Sequence, residues 1–293
     1  MSVNWFEIAK RNARSVQTTV GWIFWDPGAV RRYEALGLPG NLGYIAARCA
    51  PFVGAGAEAL TAAFGSISPL GIRFVVDFNR TVPLMEFWHA RDEAILEGLE
   101  SYAPSILEPL RLFGPLLEVV AEKLPTTGRP FAASHRELPR HSDSALAGWH
   151  AINYLREWRG DSHWAIVASL GLSGAEASTL HNEWLDYDGD WLSKSRGLDD
   201  ATIATAWSDL TAKGLAADGQ LTDLGYATRQ QIEDLTNQSS AAVWQHLGYD
   251  ESLAFAEAFE PPCELLLARV NETAGERYQP ASRVTRRDSD ATQ

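Results

Sequence analysis

Apolar residues recur at helical spacing along most of the chain. Trp5, Ile8, Val16, Val20 and Ile23 form such a series over residues 4–24, with Lys10, Arg11 and Arg14 between them. This is the pattern of a helix that turns one stripe to a core. Asp26-Pro27 follows as an N-cap with proline at the first helical position, and Gly37 and Pro39 close the helix opened over residues 28–36. Residues 41–64 are rich in alanine and glycine, which lets helices pack closely or leaves room for a ligand, and packing is the favoured reading. Residues 72–78 carry the branched and aromatic side chains of a strand, but the run is short and isolated, and it is read as helix or irregular chain. Two further helices are predicted over residues 86–100 and 104–123. Pro125, Gly128, Pro130 and Pro139 then mark residues 125–142 as a connector.

The second half has its own order. A helix over residues 144–158 is expected to end at Gly160, with Asp161 or Ser162 capping a second that runs to Leu170. Gly171-Leu172-Ser173 makes a turn and an N-cap for a helix over 174–185, and an acidic loop with Asp186, Asp188 and Asp190 follows. Asp199 or Asp200 caps a helix over 201–213. Leu215 and Leu221 flank Asp218-Gly219, the strongest hairpin signal in the chain, and Thr222 opens a helix over 223–235. After about residue 275 the chain turns polar and ends Arg286-Arg-Asp-Ser-Asp-Ala-Thr-Gln, which reads as a frayed tail. The predicted fold class is mainly α. A helical N-terminal domain spans residues 1–140, and a winged helix-turn-helix-like C-terminal domain with a short β-hairpin spans 141–250. A C-terminal helix and polar tail complete the chain over 251–293.

Several runs resemble a known family. They are Gly128-Arg-Pro-Phe-Ala-Ala, Leu155-Arg-Glu-Trp-Arg-Gly-Asp-Ser-His163 and Leu210-Thr-Ala-Lys-Gly-Leu-Ala-Ala-Asp-Gly-Gln-Leu-Thr222. Gly43-Tyr44-Ile-Ala-Ala-Arg48-Cys-Ala50-Pro51 and Thr61-Ala-Ala-Phe64, with Pro69 after it, extend the likeness into the first half. Together they resemble the SalK-like actinobacterial family of helix-turn-helix proteins over roughly residues 28–250. The chain departs from that pattern at Trp158 and Ser162, where His and Gly are more usual, and at Thr236-Asn237, where Thr-Asp is usual. The resemblance implies a winged-helix-like fold and no established reaction. Function therefore has to be argued from the site.

Charge bears on what such a fold could bind. The 293 residues carry a formal net charge of −13, with 45% hydrophobic residues. Residues 145–250 hold six basic side chains against fifteen acidic ones, a net −9. A DNA reader needs Lys and Arg against phosphates. The helix that would enter a groove is 201–213, which offers Thr202, Thr205, Ser208 and Lys213 beside Asp199, Asp200 and Asp209, or 174–185, which offers His181 and Asn182 beside Glu176 and Glu183, and the hairpin tip holds no cation. Both observations argue against nucleic acid. No run of about 18 uncharged apolar residues is present, so no membrane span is expected. The first residues lack a basic region followed by an apolar run, and Cys49 and Cys263 form no CxxC pair. Both features fit the cytoplasm.

The candidate chemistry centres on Arg156, Arg159, Asp161 and His163. Arg156 and Arg159 share a helix face, and a break at Gly160 would put His163 in the first turn of the next helix. A neutral histidine there, beside two guanidiniums, could hold a carboxylate or phosphate and move a proton. His163, Asp161 and Arg159 are thus the catalytic candidates. Arg156, Tyr44, Arg48, Trp149 and Trp158 are the ligand-binding candidates, the tryptophans as walls for a flat apolar ligand. The bland reading of the same residues is a helix cap, interface ion pairs and core aromatics. His135 and His141 lie in the proline-rich connector and are read as solvated, and His89 and Arg91 near Trp88 are a weaker candidate pair. No metal spacing, GxSxG, HExxH or phosphate loop is present, and nothing selects a cofactor. The leading expectation is a small-molecule-binding protein on a winged-helix scaffold that does not bind DNA, with an Arg/His pocket between its halves. It would be either a binding protein or an enzyme of specialised metabolism whose reaction is open. The alternative is a ligand-responsive winged-helix transcriptional regulator. The expected partner is a small organic ligand, with no membrane and with a homodimer as an option.

Overall fold

The computed structural model describes residues 3–52 and 54–283, and among these the chain is almost entirely helical. In chain order the helices are α1 (Trp5–Gly21), α2 (Pro27–Ala35), α3 (Gly40–Cys49), α4 (Ala57–Phe64), α5 (Pro69–Phe78), α6 (Leu84–Tyr102) and α7 (Leu107–Lys123). The second half adds α8 (Pro130–His135), α9 (Ser144–Ser169), α10 (Gly174–Trp184), α11 (Trp191–Ser195) and α12 (Asp200–Ala212). A hairpin of β1 (Ala216–Ala217) and β2 (Gln220–Leu221) leads into α13 (Asp223–Leu247) and α14 (Tyr249–Thr273). The mainly α fold class and the winged order of helices, hairpin and long helix are therefore as expected.

The local signals act as their chemistry requires. Asp26 accepts from the backbone N–H groups of Gly28 and Ala29 at the start of α2, with Pro27 first in the helix. Ser173 and Glu176 form a reciprocal capping box on α10. Asp199 caps α12 and Thr222 caps α13. At the hairpin Asp218 and Gly219 take φ of 52° and 75°, the left-handed pair that a two-residue loop needs to match the strand twist.

Four expectations are corrected. The helix does not break at Gly160: α9 runs 26 residues through it, because Trp158, two residues before, and Asp161, just after, are buried against other elements and hold the helix together. A glycine inside a helix costs only about 1 kcal/mol, which such packing exceeds. The 125–142 connector contains a helix of its own, α8. The helix opened by Thr222 continues to Leu247, well past residue 235. Residues 276–283 are not frayed. A 3₁₀ turn over Pro280–Ser282 docks on α1, where Thr18 donates to Ser282 Oγ at 2.9 Å and Arg14 to the Ser282 carbonyl at 3.1 Å. The Arg286 end of the tail lies outside the described residues.

Two apolar cores result, and two helices belong to both. The larger gathers α1 to α8, the first part of α9 (Trp149, Ile152, Trp158), the end of α13 (Val243, Trp244) and α14. The smaller holds Val167, Leu180, Leu210, Leu215, Leu221 and Ile232, with Trp164 and Trp207 against it. It is the interior of the winged unit. Between α7 and α9 the backbones nearly touch: a Cβ on Gly148 would fall 2.0 Å from the Leu110 carbonyl oxygen.

Candidate functional site

Where the two cores meet, a cavity of about 390 Å³ opens between α1, α9, α10, α13 and the Pro280–Ser282 turn. Its lining runs against the charge of the chain. Among the described residues it takes Lys10, Arg14, Arg159, Arg196, Arg229 and Arg283, with Glu233 as the single carboxylate. Trp164, from α9, and Trp184, from α10, supply flat apolar walls.

The guanidiniums are held in place and incompletely satisfied. Glu233 accepts from Arg229 Nη2 at 3.0 Å and, on its other oxygen, from Arg159, which also donates to Asn237 Oδ1 at 3.0 Å. Arg229 lies over the Trp184 ring with its Cζ 4.4 Å from the centroid. Arg196 donates to Ser178 Oγ at 2.7 Å. Arg229 Nη1 and Arg159 Nε are buried and find no hydrogen-bond acceptor among the described residues. An orphaned buried donor costs free energy, more so when charged, and an anion in the cavity would supply the missing acceptor. Burial, and then the neighbouring Arg229 charge, bring Arg196 down to about 10. Glu233 is held well below the usual carboxylate range: burial opposes its charge, but Arg159 and Arg229 outweigh that.

His163 stands among these cations. Burial, reinforced by the charges of Arg229, Arg159 and Arg196 and opposed by Glu233, lowers it to about 3, so the imidazole is neutral near pH 7. Its Nδ1 lies 3.4 Å from Thr236 Oγ1, and that hydroxyl gives its own proton to the Ile232 carbonyl at 2.7 Å. The arrangement assigns the proton to Nδ1 and leaves Nε2 as the acceptor. His181, also lining the cavity, is lowered by burial and by the Arg229 and Arg196 charges.

The residues singled out from the sequence separate into four groups. His163 and Arg159 line the cavity. Arg156 and Arg48 instead close on a buried carboxylate: Glu157 accepts from Arg48 at 3.0 and 2.7 Å and from Arg156 at 2.8 Å, and Arg156 also reaches Gln17 at 3.2 Å. Burial opposes the Glu157 charge, but both guanidiniums override it and bring the carboxyl down to about 2. Tyr44, Trp149 and Trp158 are core. Tyr44 packs edge-on against Phe24, Trp149 donates to the Thr19 carbonyl and Trp158 to the Pro125 carbonyl, both at 2.8 Å. Asp161 does cap a helix, but not the one expected. It accepts from the Phe131 and Ala132 N–H groups at the start of α8, at 3.3 and 3.0 Å. Burial nonetheless pushes it up to about 7, with the two backbone donors pulling the other way.

Arg196, Arg229, His181, Glu233 and Trp184 went unrecognised in the sequence. They come from three separate segments, and helical spacing links them only within the pairs Arg229–Glu233 and His181–Trp184. Their one trace is the short supply of cations in residues 145–250, since three of the six, Arg159, Arg196 and Arg229, converge here.

The described residues contain no group of three or more His, Cys, Asp or Glu side chains placed to hold a metal ion, and no helix among them is long and apolar enough to cross a membrane. No curated protein and no solved structure matches the chain. A family model does match, over residues 9–272, which takes in most of both cores and the cavity lining except Pro280, Ala281, Ser282 and Arg283. The chain accordingly belongs to a helix-turn-helix family.

Proposed function

We propose that the protein binds a small organic anion in the cavity between its two cores and uses the winged helix as a scaffold rather than as a DNA reader. The observation that carries this reading is the direction of the arginines. Of the six basic side chains in residues 145–250, Arg159, Arg196 and Arg229 face the cavity and Arg156 closes on Glu157. Lys194 and Lys213 stay on the surface, and each already pairs with a carboxylate, Asp200 and Glu176. The exposed face of α12 carries Asp200 and Asp209, and the hairpin tip Asp218. A phosphate backbone would meet repulsion there. A carboxylate, sulfonate or phosphate on an aromatic or apolar body matches the other side: guanidiniums at one end, Trp164 and Trp184 along the flanks. His163 Nε2 supplies a proton acceptor beside such a ligand, which leaves room for an enzyme as well as a binding protein.

The test uses 8-anilinonaphthalene-1-sulfonate, an aromatic anion, with the folded full chain. Saturable binding that quenches tryptophan fluorescence is expected, weakened at least ~10-fold by Arg229→Gln or Arg196→Gln, as loss of a charge-assisted hydrogen bond implies. Unchanged affinity in both variants would overturn the reading. So would salt-sensitive, sequence-selective binding of duplex DNA at submicromolar protein.

A further inference from the structure

A second cavity, of about 460 Å³, lies on the far side of α9, between that helix, α7 and the segment that follows α8. It contains the two histidines read from sequence as solvated, and that reading is corrected. His135 donates from Nδ1 to the Phe131 carbonyl at 2.7 Å and meets Asn153 at 3.1 Å through Nε2. His141 Nδ1 accepts from the Asp143 N–H at 3.0 Å, and its ring lies parallel to that of His150, with centroids 6.5 Å apart.

His150 is the member held by a carboxylate. Its Nε2 is 3.0 Å from Asp92 Oδ2, and the other oxygen of that buried carboxylate accepts from Arg91 at 3.1 Å. Burial alone would raise Asp92, yet Arg91 and His150 hold it below the usual range. An ionised carboxylate fixed on Nε2 puts the imidazole proton there and leaves Nδ1 as a bare base, with burial favouring the neutral ring. One helical turn further along α9 stands Tyr154, on the same face and lining the same cavity. Its hydroxyl accepts from Arg136 Nε at 3.1 Å, which leaves its own proton to donate and places a guanidinium behind it. Ala121, Leu138, Ala147 and Ala151 make the wall partly apolar, and its charges balance: Arg136 and Arg140 are matched in number by Glu118 and Glu122, with Arg140 paired to Glu118 at 2.8 Å. The cationic excess of the first cavity is missing here, so the fitting ligand is uncharged.

We propose that this cavity is a proton-transfer site for an uncharged carbonyl compound with an acidic C–H next to the carbonyl. His150 Nδ1 takes the proton, the C–H electron pair becomes the C=C bond of the enolate, and the carbonyl oxygen takes up the charge under the Tyr154 hydrogen bond. When a C=C bond stands β,γ to the carbonyl, the enolate is a dienolate, and return of the proton from the imidazolium to the γ-carbon completes an isomerisation to the α,β-unsaturated compound. The step needs no oxidant and no second substrate. Asp92 positions the base and does not touch the substrate.

The probe is 5-nitrobenzisoxazole with the full chain. Removal of its C3 proton forms the nitrile, breaks the N–O bond and releases a coloured phenolate, so one base and one oxyanion donor suffice. A saturable rate is expected, reduced at least ~100-fold in kcat by His150→Ala, the range typical of a positioned general base. His150→Gln, which keeps a donor toward Asp92, should fold as the wild type by circular dichroism and lose the rate equally. Tyr154→Phe should lower kcat about 10-fold with KM little changed, the signature of a group that acts in the transition state. His246→Ala, at an exposed site on α13, should leave the rate as it was. Wild-type turnover no faster than free imidazole, or full activity in both His150 variants, would overturn the assignment.

Discussion

Arg229 donates to Glu233 from one turn away on α13, at 3.0 Å, and Glu233 is the single carboxylate among the described residues of the first cavity. The pair fixes how much positive charge the cavity shows a ligand. Glu233→Gln keeps the shape and removes the charge, so two effects should part company. Affinity for the naphthalene sulfonate should rise several-fold, while unfolding free energy falls by about 2 kcal/mol as two guanidiniums lose their counter-charge. A titration and a urea curve on the same variant check both. Weaker anion binding would contradict a cationic site.

Arg48→Ala separates architecture from ligand. In the Arg48–Glu157 pair the carboxylate is buried and the guanidinium half-buried, and the pair lies outside the cavity lining. Breaking a buried pair typically costs about 3–5 kcal/mol, and a loss near the lower end is expected because Arg156 still reaches the carboxylate. Anion affinity of the surviving folded protein should match the wild type.

Acid should destabilise the protein in two stages. His163 at about 3 and His135 at about 4 stay neutral when folded but take up protons when unfolded below their ordinary 6.5. Stability therefore falls as pH drops from about 6.5 toward those values. Glu157 follows: its contribution is complete above its ordinary 4.5 and is lost as pH falls through about 2. Asp161 runs the other way, since a carboxyl raised to about 7 adds stability as pH drops from there to its ordinary 3.8. Asp161→Asn should steepen the decline between about pH 7 and pH 4, and Glu157→Gln should flatten the last stage. Urea midpoints across the range read out each.

Gly148→Ala tests the close backbone approach between α7 and α9. A methyl group placed 2.0 Å from the Leu110 carbonyl oxygen must force α7 and α9 apart. Overpacking of this kind costs about 1–3 kcal/mol, and an obstacle made of backbone rather than side chain puts the expectation at the upper end or beyond. The melting temperature should drop, with the alanine's better helix propensity unable to compensate.

Most of the fold was legible because its boundaries are chemical. Asp26, Ser173, Asp199 and Thr222 each satisfy orphan N–H groups, and Asp218-Gly219 suits the left-handed turn it makes. Gly160 misled, since a local preference worth about 1 kcal/mol was weighed without the tertiary contacts that outbid it. The site was half legible. His163 and Arg159 follow from their run, whereas Trp149 and Trp158 look identical in sequence to cavity walls, and only packing shows that they are core. Asp92, His150 and Tyr154 escaped notice because Asp92 is 58 residues from its partner His150. Charge counting found the scarcity of cations but not their inward direction.

The two cores have distinct side chains but common beams, α9 and α13. A crossover of that kind denies the winged unit a hinge. Loosening either interior frays a helix on which the other depends, so heat should melt the molecule in one cooperative transition. Residues 141–250 expressed alone should fail to fold, having lost the surface that buries half of each long helix.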